Sequence, residues 1–290
     1  MRFLYSLILC CSLSFLFFSC KKTVSNRRPV VNFVFKFDST QVRLNNLGQP
    51  ASVPVGNAAQ SPVFKLMSSH YVELSPNQYT AVGAGDILYH ASETTIGGST
   101  AIDFSRSTFA GNNQVFLSVP IDSITPGSYN WLRVSLAYQN YDVKYKANGQ
   151  SLTGSIASFI GFKTYINSYK IKDSTVLVNA NKTQGYWGFE TSVSGFGLVQ
   201  TGQSPSGATT VSNPIFATSP IPAGSCLATG QFASPLVITG NETSDITIIV
   251  SLSTNKSFEW IDSDNNGTYD PLNGDQVVDM GVRGLIPIRQ

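Results

Sequence analysis

The sequence predicts an all-β protein: an antiparallel β-sandwich in a single domain, preceded by an N-terminal export signal. Three observations predict it. Apolar and polar residues alternate in short runs, and those runs are bounded by Gly, Pro, Asn and Ser. Beyond the first twenty residues, no stretch carries a convincing helical period. Composition agrees, because 42% of the residues are hydrophobic and only 12% charged, against about a quarter charged in typical domains. Disorder is excluded on that balance, and many short strands separated by turn residues point to a sandwich.

In chain order, residues 31–38 open the domain with Phe33, Phe35 and Phe37 on one face. Runs at 63–74, 86–90 and 114–119 follow. Residues 129–138 put Leu132, Val134, Leu136 and Tyr138 on one face, with Trp131 and Arg133 opposite. Further strands are expected in 155–171, 175–180 and 185–190. Residues 191–224 are rich in Gly, Ser, Thr and Pro and poor in charge, so they read as a long loop over the surface or a linker. The chain beyond them is too short for a comfortable core of its own. Its strands, such as 245–253 with Ile246, Ile248, Val250 and Leu252 on one face, are therefore expected to return to the sandwich, making 30–290 one domain.

Residues 1–19 read as a signal peptide: Met1-Arg2, an apolar stretch to Phe18, then Ser19-Cys20-Lys21-Lys22. As a helix the apolar stretch would reach about 24 Å, short of the roughly 30 Å hydrocarbon core. Ser19 before Cys20 and Leu16 upstream resemble the lipobox of bacterial lipoproteins, although Phe17 stands where that family usually has leucine. The resemblance implies cleavage before Cys20, lipid on Cys20 and membrane anchoring, with 20–29 as a lipidated tether. Lys21 differs from the inner-membrane retention signal that uses Asp at this place, which points to the outer membrane of the cell envelope. Of the four cysteines, only Cys226 remains in the domain, so the core must form without an intramolecular disulfide.

Three stretches also resemble the MbnP-like domain, a β-sandwich of exported proteins associated with copper. They are Phe33-Val34-Phe35-Lys36-Phe37-Asp38, Met67-Ser68-Ser69-His70-Tyr71-Val72-Glu73-Leu74, and Ile124-Thr125-Pro126-Gly127-Ser128-Tyr129 with the strand after it. The likeness covers roughly residues 31–140. The family's histidine at the end of the first strand is replaced by Phe37-Asp38, so its copper site does not carry over directly.

The sharpest local motif is Asp262-Ser263-Asp264-Asn265-Asn266-Gly267-Thr268-Tyr269-Asp270. Oxygen donors at alternate positions, Gly at the sixth and a carboxylate at the ninth match the first three quarters of an EF-hand-like calcium loop. Position twelve is Asn273 instead of Glu, and Asp275 or Asp279 can supply the missing carboxylate. Asp262, Asp264, Asn266, Thr268, Asp270 and Asp275 are thus candidate calcium ligands. A solvated Asn266-Gly267 hairpin turn is the plainer reading. His70 and His90, the only histidines, are candidate copper ligands, with Glu73, Glu93 and Asp103 nearby in sequence. Strand alternation places His70 with Leu66, Val72 and Leu74, which favours a core histidine instead. Tyr186 and Trp187, in a glycine-flanked strand, are candidates for an aromatic glycan- or ligand-binding patch.

No catalytic residues are assigned. Gly202-Gln203-Ser204-Pro205-Ser206-Gly207 has the wrong spacing for a nucleophile elbow, and Gly83-Ala84-Gly85 lacks the rest of a dinucleotide fingerprint. The net charge of +2 is spread along the chain, which gives no footprint for nucleic acid. The expected function is therefore a non-enzymatic binding or structural module whose protein or glycan partner the sequence does not name.

Overall fold

The computed structural model describes residues 28–45, 49–193, 195–204 and 225–290. The expected signal peptide 1–19, Cys20, most of the expected tether and residues 205–224 of the Gly/Ser/Pro-rich stretch lie outside the described residues. No helix among the described residues is long and apolar enough to cross a membrane.

The strands are β1 (Val30–Asp38), β2 (Asn57–Gln60), β3 (Val63–Ser75), β4 (Asp86–His90), β5 (Glu93–Thr94), β6 (Ala101–Asp103), β7 (Gln114–Pro120), β8 (Gly127–Ala147) and β9 (Gln150–Phe159). They continue as β10 (Lys163–Lys170), β11 (Thr175–Thr183), β12 (Tyr186–Val193), β13 (Phe196–Gln203), β14 (Cys226–Ile238), β15 (Ile246–Ser253), β16 (Phe258–Ile261), β17 (Gln276–Met280) and β18 (Leu285–Arg289). One sheet runs β18-β15-β1-β7. The largest runs β13-β12-β9-β8-β3-β4, with β14 added on β8. Two smaller sheets, β11-β10-β6-β5 and β17-β16-β2, cover opposite faces of its far half.

The main core lies between the first sheet and the near half of the large one. Val31, Phe33 and Phe35 of β1 and Ile246, Ile248, Val250 and Leu252 of β15 face Val72, Leu74, Leu132, Val134 and Leu136, all buried. Each such side chain contributes about 1.5–3 kcal/mol by leaving water. Phe35 stacks on Phe116 with ring centroids 4.4 Å apart. The alternation read from the sequence is what gives β1 and β15 one apolar face each. Their pairing is parallel, in the register Phe33↔Ile248 and Phe35↔Val250, so the sandwich is mostly but not wholly antiparallel. The strands after residue 224 do return to the sandwich: β14 to β8, β15 to β1 and β18 to β15.

Strand β8 is longer than the run at 129–138 suggests, and it serves both halves. It pairs with β3 along one edge; on the other it pairs first with β14, to Leu136, and then with β9, from Tyr138. At the changeover the partner of β3 steps from Ser69↔Leu136 to Ser68↔Tyr138, leaving Ala137 as an extra residue. That bulge reverses the alternation. Leu132, Val134 and Leu136 face the main core, whereas beyond the bulge Tyr141 and Val143 do so. Tyr138 instead enters a second core with Ala157, Phe159, Ile166, Tyr169, Ile171 and Tyr186, under β10 and β11. Tyr138 therefore does not share a face with Leu136 as simple alternation expects.

Two other boundaries differ from expectation. Residues 155–171 are two strands in two sheets, because Ile160 and Gly161 turn the chain and both donate to the carbonyl of Ala137 (2.9 Å each). The stretch 191–224 is not all loop: it begins inside β12, and β13 pairs with β12 from Val193↔Phe196 to Tyr186↔Gln203. Its Gly and Ser content hid a hairpin whose β13 is almost entirely exposed.

Buried carboxylates tie the turns down. Glu73 accepts from the amides of Gly83 (3.0 Å) and Gly85 (2.7 Å), and Glu190 accepts from the amides of Lys172, Asp173 and Ser174. Glu190→Ala removes the acceptor for a whole turn between β10 and β11. It should cost about 3 kcal/mol in denaturant unfolding with an unchanged slope, and a loss within about 0.5 kcal/mol would show that solvent replaces the carboxylate.

Candidate metal sites and an apolar cavity

The structure brings the two histidines together. His70 is the extra residue of a bulge on β3, lying between the pairs Ser69↔Leu136 and Tyr71↔Ser135. Bulges re-aim side chains, and here the bulge separates His70 from the face of Val72 and Leu74. Its ring stacks on Phe162 (5.1 Å) and lies 5.3 Å from the ring of His90, which itself stacks on Tyr71 (4.3 Å). His90 ends β4 opposite Tyr71, and Glu93 follows on β5. His70 Nε2 lies 2.9 Å and His90 Nε2 3.4 Å from the same Glu93 Oε1. Glu93 is therefore the joint between the histidines. Asp103 instead bonds the amide and hydroxyl of Ser105, and Glu73 is committed to the Gly83 turn.

The site is graded in exposure: His70 is fully buried, Glu93 half-buried and His90 exposed. Burial pushes the His70 imidazolium below the ordinary histidine range, against the opposing pull of Glu93. The hydrogen bond from His70 holds the Glu93 carboxyl below its usual range, with burial opposing. His70 is thus neutral near pH 7, and its Nδ1 is buried without a hydrogen-bond partner among the described residues. Neutral imidazole nitrogens and a carboxylate form a donor set suited to copper or zinc. Asp38, where the copper-domain resemblance expects histidine, accepts from the amides of Thr40 and Gln41 and pairs with Lys36 (2.7 Å). It acts as a turn former and contributes nothing to this site.

The second site is the acidic loop between β16 and β17. Carboxylate oxygens of Asp262, Asp264 and Asp275 lie within 4.8 Å of one another. Asp262 accepts from the amides of Asn266 (3.2 Å) and Gly267 (2.8 Å), and the positive φ of Asn265 (56°) and Gly267 (70°) makes the sharp turn. Asp275, contributed from beyond the nine-residue motif, accepts from the amides of Ser263 (2.9 Å) and Asp270 (2.8 Å) and closes the loop. Asp270 is buried and accepts from Asn273, while its Oδ1 has no hydrogen-bond partner among the described residues. The Asn266 side chain bonds Asp264 and the amide of Thr268. Thr268 itself is exposed. Asp279 ion-pairs with Arg283 and takes no part.

The aromatic pair divides. Tyr186 points into the second core, whereas Trp187, on the opposite face of β12, lines a cavity of about 340 Å³ bounded also by Tyr145, Phe189, Phe258 and Tyr269. Tyr269 belongs to the acidic loop, so loop and cavity share a wall; burial and the Asp275 carboxylate push its hydroxyl up to about 12. Sequence reasoning missed the cavity, because its walls come from strands far apart in the chain. A local signal existed in the glycines opposite the rings. A Cβ at Gly202 would lie 2.4 Å from Trp187 and one at Gly154 2.0 Å from Phe189.

Comparisons with protein-family models, curated proteins and solved structures found no match.

The buried neutral His70 and the low-lying Glu93 give acid sensitivity a definite sign. Both imidazole and carboxyl bind protons more readily in the unfolded chain, so the His70 contribution is present above the ordinary histidine pKa of 6.5 and lost as pH falls below it, whereas the Glu93 contribution persists until pH falls below the ordinary carboxyl value of 4.5. In metal-free protein the melting temperature should therefore drop between pH 7 and 5, and His70→Asn should flatten that slope. An unchanged slope in the variant would assign the effect to other groups.

Proposed function

We propose that the protein is a non-enzymatic, lipid-tethered binding module of the cell envelope whose acidic loop holds calcium as a structural ion. The observation that carries the calcium reading is the gathering of the carboxylates of Asp262, Asp264 and Asp275 within 4.8 Å, with none in an ion pair with Lys or Arg among the described residues. Like charges so close repel, and a divalent cation relieves that repulsion. Asp275 stands in for the absent carboxylate at position twelve. The ion would brace Tyr269 and the segment that leads into β17. Lipid tethering rests on the lipobox-like residues around Cys20, and the outer membrane on Lys21.

A second reading, copper handling, is favoured by the convergence of His70 and His90 on Glu93. It agrees with the likeness of residues 31–140 to the copper-associated domain while using a different residue set from that domain's first-strand histidine. The absence of a nucleophile elbow or other catalytic motif in the sequence supports the non-enzymatic reading.

Calcium should raise the melting temperature of chelator-treated protein, contributing about 2.7 kcal/mol at a hundredfold excess over its Kd. Asp262→Ala with Asp264→Ala should abolish the rise, and a rise that persists in the double variant would end the calcium reading. Copper(II) should bind the intact protein stoichiometrically in a calorimetric titration. His90→Ala, exposed and therefore tolerated by the fold, should remove that binding; equal binding by this variant would rule the histidine site out.

A further inference from the structure

We infer that the cavity between β9, β12 and β13 on one side and β16, β17 and the acidic loop on the other is the binding site for a small hydrophobic ligand bearing at most one or two polar groups. This rests on the binding-module reading and names its ligand class; it does not require calcium.

Volume is the first argument. Protein interiors are close-packed, with few voids larger than a water molecule. An apolar cavity of about 150 Å³ already stays dry and takes up benzene, and ligand pockets begin near about 300 Å³. At about 340 Å³ this cavity is of ligand size.

The second argument is how the space is kept open. Trp187 lies against Gly202 on β13, and Phe189 against Gly154 on β9, at distances no Cβ would permit. With side chains removed at these two positions, both rings lie down on the sheet instead of standing into the cavity. Glycine weakens a strand interior, so two glycines under two rings are a sacrifice of local stability that leaves a flat aromatic wall. Phe258, Tyr269 and Met280 form the facing wall.

Polarity decides the chemical class. Gln200, Gln203 and Ser204 are the polar side chains at the rim besides the tyrosines. The Gln203 amide already donates to the carbonyl of Gln184 (2.6 Å), and the Tyr145 hydroxyl donates to Thr191 (2.9 Å). Among the described residues, Gln200 and Ser204 are left to meet a ligand. A sugar would bring a hydroxyl on nearly every carbon and leave most of them unsatisfied inside. An aromatic or aliphatic molecule with a single polar end fits, its rings or methylenes against Trp187 and Phe189 and its polar end at Gln200.

The test is a fluorescence titration of the intact protein with N-phenyl-1-naphthylamine, a neutral two-ring probe. Saturable one-to-one binding is expected, weakened about tenfold or more by Val277→Trp, which fills the cavity from β17, and unchanged by Leu177→Ser on the distant, exposed β11. Val277→Phe is the milder filler should the tryptophan variant fail to fold. Decanoate and indole as competitors distinguish an acyl chain from a ring as the natural occupant. The inference is overturned by absence of saturable binding, by equal binding in both filled variants, or by displacement with glucose. It is overturned too if the probe binds only after residues 205–224 are replaced by a Gly-Ser linker of equal length, which would assign the cavity to the chain's own segment. Probe binding without calcium-dependent stabilisation removes only the calcium reading, and calcium stabilisation without probe binding removes only this one.

Discussion

The rest of the molecule depends on the backbone pairing of β8. A strand of 21 residues is long for a globular domain, and this one is paired on both edges for most of its length. It exchanges β14 for β9 at the Ala137 bulge and, by reversing its alternation there, buries one set of side chains in the main core and the next in a second. Without that reversal Tyr138 would face the main core and Tyr141 would be turned away from it. One inserted residue thus joins two packing problems in a single strand.

The same irregularity on the neighbouring strand builds the histidine site. The bulge on β3 takes His70 out of the alternation while β4 and β5 deliver His90 and Glu93 from the next turns of the chain. Position in the fold, more than the nature of the residues, makes these three a site. The acidic loop works differently: its donors are nearly contiguous, and the chain needs only two positive-φ residues and a returning Asp275 to gather them.

That contrast explains what was legible beforehand. The apolar faces of β1 and β15 obey a two-residue period from end to end, and the acidic loop carries its spacing in its letters, so both could be read directly. The Ala137 and His70 bulges left no mark in composition, which is why alternation misplaced Tyr138 and His70. The exposed β13 looked like linker because Gly and Ser dominate it, and its glycine at 202 acquires meaning only when Trp187 is seen against it. Asp275 was visible as a candidate, whereas the convergence of Glu93 on two histidines depends on three strands meeting.

The parallel pairing of β1 with β15 bears on the order of assembly. Residues 31–38 find β7 early in the chain, yet their other edge stays bare until residues 246–253 have been made. Contacts between such distant segments carry a large loop-closure entropy and form slowly. The first of the described strands is thus among the last to be paired on both edges, and during that interval Phe33 and Phe35 sit in a strand with an open edge. Until the C-terminal strands arrive, that bare edge is open to edge-to-edge association with other copies of the chain.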